Sequence, residues 1–268
     1  MPQGDLHMGK LWIVGAGPGA VDLITVRGRE IIARADAILY AGSLVSTEHL
    51  TFAPPNCEIA DSSGMTLEEM LQWLGERIRR LEIVVRLQTG DPSLYGALTE
   101  LTTPMRQQGV VIEVIPGVSS AFASAATAIE SLTLPEVTQT VILTRTEGRT
   151  PMPEREQLRH LAAHGATLCI FLSATLLGKV TQELYQAGWS EDQPVLVVHK
   201  ASWPGEEKII RGRLADIAQQ CKEAGIGSQA MIITGPSLEA SQRMNNPVSR
   251  LYAPEFSHQF RKSGPSSP

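Results

Sequence analysis

Three short runs of Gly, Pro, Asp and Ser each follow an apolar stretch and are the first candidates for chemistry. They are Gly15-Ala16-Gly17-Pro18-Gly19-Ala20, then Gln88-Thr89-Gly90-Asp91-Pro92-Ser93-Leu94-Tyr95-Gly96, then Pro116-Gly117-Val118-Ser119-Ser120-Ala121. Small residues let a backbone close on a ligand, and loops at strand carboxyl ends are where open α/β sheets hold one. The first run matches a dinucleotide-binding turn in form. A nicotinamide site would also need an acid at the end of the second strand, about 20 residues on. The second strand instead runs Asp36-Ala37-Ile38-Leu39-Tyr40 into Ala41-Gly42-Ser43, and Pro18 removes an amide where a pyrophosphate would need donors. These departures argue against a nicotinamide. Asp91 supplies an anion in the second loop, either for a cationic or hydroxyl-bearing ligand or as the start of an Asx-type turn before Pro92.

These loops need strands and helices to hold them. Apolar runs at 11–14, 37–40, 83–87, 110–115, 141–143, 168–172, 195–198, 209–210 and 231–233 read as strands, several of them continuous enough to be covered on both faces. Helical patterns between them predict helices over 22–34, 66–81, 95–108, 119–129, 155–164, 174–187 and 213–224. The fold class is α/β. A break at Thr133-Leu134-Pro135-Glu136 places a domain junction, giving an N-terminal α/β domain over 9–132 and a C-terminal α/β domain over 133–237. A polar, flexible tail is expected over 238–268.

Composition narrows the function classes. The chain has 268 residues, with 23 Lys plus Arg against 28 Asp plus Glu, a net charge of −5. An acidic chain without basic blocks does not suit general nucleic-acid binding. Three cysteines, Cys57, Cys169 and Cys221, form no Cys-x-x-Cys pair, so no disulfide framework or zinc site follows. His160 and His164 lie four apart on a predicted helix but lack a recognisable third ligand, and no metal is expected. No apolar run approaches the ~18–20 residues of a membrane span, and no secretory leader is seen. The expectation is a soluble cytoplasmic protein with neither a nucleic-acid nor a membrane partner.

The ordered motifs Val14-Gly15-Ala16-Gly17-Pro18-Gly19, Leu23-Ile24-Thr25-Val26-Arg27-Gly28, Gly90-Asp91-Pro92, Pro116-Gly117-Val118-Ser119-Ser120 and Ala230-Met231-Ile232-Ile233-Thr234-Gly235 resemble the tetrapyrrole methylases. These are S-adenosylmethionine-dependent enzymes that methylate corrin and sirohaem precursors. Segments 40–45, 134–140, 144–151 and 201–204 are similar to the branch that methylates precorrin-4 or cobalt-precorrin-4 at carbon 11. The resemblance implies two α/β domains with mainly parallel or mixed sheets, an interdomain cofactor cleft and a homodimer. It implies S-adenosylmethionine as methyl donor and S-adenosylhomocysteine as product. It carries cofactor contacts onto Pro18, Gly90, Asp91, Leu94, Ser119, Ser120, Leu172, Ala201 and Ala230. Leu172 and Ala201 depart from a sirohaem-synthesising relative, which has Met and Gly there.

A sulfonium donor is already activated, so positioning carries most of a methyl transfer and no strong base is needed before attack. Tyr95 and His199 are candidates for proton removal afterwards. A substrate bearing acetate and propionate groups calls for cations, and Arg145, Arg149 and Lys200 are the candidates. Two other functions fit the same residues. One is methylation of a different carbon of a related precorrin, and the other is a non-catalytic S-adenosylmethionine- or tetrapyrrole-binding protein.

Overall fold

The computed structural model describes residues 8–240, 249–253 and 256–262. The chain folds as two compact units. One runs to Ala123 and includes Lys200–Glu207; the other holds Ser124–His199 and the chain from Lys208 onward. The expected junction at 133–136 falls in the connection between the two sheets, whereas the boundary between the units lies earlier, within a helix.

The first unit is built on five strands, β1 (Lys10–Gly15), β2 (Ala37–Tyr40), β3 (Glu58–Asp61), β4 (Ile83–Gln88) and β5 (Val111–Ile115), in the order β3-β2-β4-β1-β5. All of its pairings are parallel. Helices α1 (Val26–Ile32), α2 (Leu67–Ile78), α3 (Leu98–Gln107) and α4 (Ser120–Thr127) follow β1, β3, β4 and β5. Leu11, Ile13, Leu39 and Val84 pack with Leu74, Ile78, Leu101 and Met105 on one face, from α2 and α3. Val14, Ile38, Val85 and Leu87 pack with Ile31 and Ile32 of α1 on the other. Sealing both faces makes β4 almost continuously buried, and each large aliphatic side chain so covered stabilises by roughly 1.5–3 kcal/mol.

Local chemistry fixes the helix starts. The Thr25 hydroxyl accepts the Gly28 amide at 3.1 Å to open α1. Thr66 and Glu69 form a reciprocal capping box on α2, at 3.2 and 2.7 Å. The helices are shorter than their apolar patterns predicted. Tyr95 and Ala97 adopt left-handed backbone, with φ of 56° and 49°, so α3 starts at Leu98 and Tyr95 lies in the loop before it. Strand β3 was not predicted, because its charged ends and half-exposed alternation carry no apolar run.

The second unit carries β6 (Val141–Arg145), β7 (Thr167–Phe171), β8 (Pro194–His199), β9 (Lys208–Arg213) and β10 (Ala230–Thr234), ordered β6-β7-β10-β8-β9. Only β6 and β7 pair in parallel; β10 lies antiparallel between β7 and β8, and β9 closes an antiparallel hairpin with β8. Its core joins Leu168, Ile170, Val195, Val197 and Ile232 to α5 (Leu158–Ala162), α6 (Leu177–Gln186) and α7 (Ile217–Glu223). Among the described residues no helix is long and apolar enough to cross a membrane. The expected tail lies partly outside the described residues; within them, Leu238 and Ala240 are buried and Arg250 pairs with Glu136 at 3.2 Å.

Candidate functional site

The chain leaves β1 toward β2 and leaves β4 toward β5, so two neighbouring strands send their connections in opposite directions. That switch point is where parallel sheets open a ligand crevice at their carboxyl ends. The three glycine-bearing loops leave β1, β4 and β5 there.

They are fastened to one another. Gly17 and Gly90 form an isolated antiparallel bridge, with Gly90 donating to the Gly17 carbonyl at 2.7 Å and Gly17 to the Gly90 carbonyl at 3.3 Å. Both take left-handed backbone, at φ 80° and 60°, which glycine reaches without a Cβ penalty. A Cβ on Gly15 would stand 2.7 Å from the Gly117 backbone and the Gly90 carbonyl, so these three glycines form the closest packing of the loops. At Gly90 a Cβ would find the Ser119 Cα at 4.0 Å as its nearest neighbour, leaving a gap that any side chain there would fill.

Asp91 closes the arrangement. One carboxylate oxygen accepts the Ser93 amide at 2.8 Å and the other the Gly117 amide at 3.0 Å. The Asx-type turn is therefore present, and the same group ties the β4 loop to the β5 loop. The Ser119 hydroxyl accepts the Ala121 amide at 3.3 Å at the start of α4. Pro18 is buried, and Leu94 and Ser120 are half-buried.

Several supporting residues were not anticipated. His49, 1% exposed, places its two ring nitrogens against the Ser46 carbonyl at 3.0 Å and the Ala16 carbonyl at 2.9 Å, bracing the β1 loop. Arg86, on β4, donates to the Leu39 carbonyl at 3.3 Å and the Ser62 hydroxyl at 2.7 Å. Burial pulls its pKa down to about 10 against the opposing pull of Asp61, which leaves it cationic at neutral pH. Asp61 accepts Ser63 and Gly42 amides at 2.8 and 2.9 Å, which hold its carboxyl below the usual range. The loops after β2 and β3 are thus tied as well. A buried charge inside an apolar run reads as a strand residue, so the sequence gives no separate signal for Arg86.

Lys200 and Ala201 fall in the first unit, inside Lys200–Glu207. Ala201 is buried. The Lys200 ammonium is paired with Glu206 and sits 5.1 Å from the Trp203 ring, which makes it a partner within its own segment rather than a free cation.

In the second unit the strand directions place Arg145 at the end of β6, Leu172 just past β7, His199 at the end of β8 and Ala230 at the start of β10, along one sheet edge. Leu172 is 65% exposed with φ 53°, so it is not a core residue. A bulky residue held exposed in left-handed backbone is a local strain of the kind found at ligand sites. The Arg145 guanidinium donates to the Thr150 and Pro151 carbonyls at 3.3 and 2.8 Å, so it shapes the loop that carries Arg149. Arg149 itself is exposed, with no partner among the described residues. His160 bonds the Glu154 carbonyl at 2.8 Å, and α5 ends at Ala162, before His164.

The loop geometry suits S-adenosylmethionine, which needs backbone groups and little side-chain bulk. Gly90 and Ser119 border the gap that a Cβ would fill, and the fastened loops present main chain on both sides of it.

Residues 10–218 match the family described as Tetrapyrrole (Corrin/Porphyrin) Methylases. A curated relative from Priestia megaterium named cobalt-precorrin-4 C(11)-methyltransferase is 49% identical, over 94% of this chain and 98% of its own length. The X-ray structure of a cobalamin biosynthetic enzyme, cobalt precorrin-4 methyltransferase, matches with a TM-score of 0.82 at 50% identity, covering 88% of this chain and 97% of that one. A uroporphyrin-III C-methyltransferase from Thermus thermophilus, solved with S-adenosyl homocysteine, matches with a TM-score of 0.70 at 25% identity, covering 86% and 94%.

Proposed function

This chain belongs to the tetrapyrrole methylase family, and from that premise we propose that it methylates precorrin-4, or its cobalt-bearing form, at carbon 11 in corrin-ring biosynthesis. The methyl donor is S-adenosylmethionine, and the products are the carbon-11-methylated precorrin-5 and S-adenosylhomocysteine. The observation that carries the reading is the mutual fastening of three strand-end loops at the switch point, through the Gly17–Gly90 bridge and the Asp91–Gly117 bond. Extended similarity to carbon-11 methyltransferases supplies the substrate.

S-adenosylmethionine, when bound, supplies a methyl group already activated on a sulfonium. The protein's contribution is then position and exclusion of water. Gly90, Asp91, Leu94, Ser119 and Ser120 form the proposed cofactor wall with Pro18 and Ala201 in the first unit; Leu172 and Ala230 are cofactor contacts proposed on the family resemblance alone. Arg149 is proposed to take a substrate carboxylate, with Arg145 holding its loop. Tyr95 and His199 are proposed to receive the proton released after carbon attack, and the pH profiles of Tyr95→Phe and His199→Ala test each. A cytoplasmic homodimer belongs to the same proposal, supported by the family resemblance; light scattering in solution tests the dimer.

The testing experiment adds the protein to precorrin-4 and cobalt-precorrin-4 with methyl-labelled cofactor. Label arriving at carbon 11 supports the reading. Label at another carbon, or binding without transfer, replaces it.

A further inference from the structure

The loop after β1 is covered by a segment far from it in sequence. Lys200–Glu207 links β8 to β9, yet it packs within the first unit. Its own conformation is tightly set. Lys200 and Ser202 take left-handed backbone at φ 47° and 67°, the Trp203 amide donates to the Lys200 carbonyl at 2.9 Å, and the Ser202 amide donates to the Glu207 carboxylate at 2.5 Å.

Three successive residues of the β1 loop meet this strap. The Trp203 indole donates from Nε1 to the Pro18 carbonyl at 3.0 Å, and the Ser202 hydroxyl accepts the Ala20 amide at 3.0 Å. Between them Gly19 lies so close to the indole that an added Cβ would enter the ring. The amides of Ala16 and Gly17 donate to Gln88 and Gly90 carbonyls, and Pro18 has none to give. Gly19 is buried, and within 16–20 it is the one residue whose amide has no partner among the described residues. A buried amide left unpaired inside a protein calls for an acceptor.

We propose that Trp203 is a positioning residue for the cofactor loop: its indole fixes Pro18 and Gly19 so that the Gly19 amide is offered to an acceptor group of the bound methyl donor. The inference rests on the cofactor reading above and adds to it the residue that sets the loop. Trp203 acts through Pro18 and Gly19, not by touching the methyl group, so its loss weakens cofactor binding more than it slows a bound complex.

The test measures S-adenosylhomocysteine affinity by calorimetry, and turnover at saturating cofactor, for Trp203→Phe, Trp203→Ala, Gly19→Ala and the double variant. Trp203→Phe removes one neutral hydrogen bond and keeps most of the ring, so affinity falls roughly three- to tenfold. Trp203→Ala and Gly19→Ala each fall further, with Trp203→Phe restoring part of what alanine loses. Because the Gly19 substitution acts by colliding with the indole, it costs little once the indole is gone, and the two effects are strongly non-additive. Turnover at saturating cofactor stays within about twofold for Trp203→Phe, as expected for lost binding shared by ground and transition states. Thermal melting checks each fold, and Trp203→Phe stands in if the alanine variant does not fold. Failure of the wild-type protein to bind S-adenosylhomocysteine overturns the cofactor reading itself. Wild-type binding with unchanged affinity in Trp203→Phe, or strictly additive Gly19 and Trp203 effects, overturns the role of Trp203 and leaves that reading standing.

Discussion

The Asp91 carboxylate and the Gly117 amide, 26 residues apart in the chain, meet at 3.0 Å and join the loops that leave β4 and β5. Asp91→Ala removes this bond and the one to Ser93 together. Charge-assisted hydrogen bonds are worth roughly 1.5–3 kcal/mol, so S-adenosylhomocysteine affinity is expected to fall by about ten- to a hundredfold, with a lower melting temperature. Calorimetry on the folded variant checks this. Wild-type affinity in that variant would show that the loops hold without the carboxylate.

Gly117→Ala is expected to act by overlap alone. Its Cβ would stand 2.9 Å from the Gly15 Cα and nearer still to the Gly90 carbonyl, backbone on both sides, so nothing flexible can give way. Overpacking of this kind costs roughly 1–3 kcal/mol. Melting temperature and cofactor affinity should both drop; a variant matching wild type in both would mean the three glycines are not packed as described.

Arg145 and Arg149 are expected to separate in kinetics. Arg149→Ala removes an exposed cation and should raise the Michaelis constant for the tetrapyrrole while sparing cofactor affinity. Arg145→Ala frees the Thr150 and Pro151 carbonyls and disorders the loop, so turnover should fall as well. Steady-state kinetics paired with cofactor titrations read the split. Identical profiles for the two variants would remove the distinction between ligand and loop support.

The cysteines carry a pH signature. Burial pushes the Cys169 thiol up to about 12 and those of Cys57 and Cys221 to about 11. Between pH 9 and 11 the folded chain therefore keeps protons that the unfolded chain has released, so these groups make stability fall as pH rises through that window. Iodoacetamide should label the folded protein slowly at pH 8, because little thiolate is present. In Cys169→Ala the loss of stability between pH 9 and 10 should be shallower. A slope equal to wild type would contradict the assignment.

Much of the fold was legible because buried parallel strands announce themselves as apolar runs. Val84, Val85 and Leu87 are all sealed, and the run containing them reads as a strand. Glu58–Asp61 escaped because an edge strand needs no such run, and the antiparallel insertion of β10 escaped because strand direction leaves no mark on composition. Among candidate site residues, those in glycine loops were visible since positive φ and close packing restrict residue type. His49 and Arg86 act through single long-range bonds to carbonyl and hydroxyl oxygens, which no local spacing encodes. Leu172 was legible as a family position, and its exposure and left-handed backbone appear only in three dimensions. Trp203 lies in the segment 201–204 that carries the family resemblance, but its contact with Pro18 spans 185 positions.

Methyl transfer to carbon 11 is read by supplying S-adenosylmethionine that carries a carbon-13 methyl group together with precorrin-4 and, separately, cobalt-precorrin-4. Nuclear magnetic resonance of the product locates the new methyl group. One labelled methyl per tetrapyrrole is expected, bonded to carbon 11, with one equivalent of S-adenosylhomocysteine formed. A labelled methyl on any other ring carbon, or no transfer to either substrate by a protein that binds the cofactor, would contradict it.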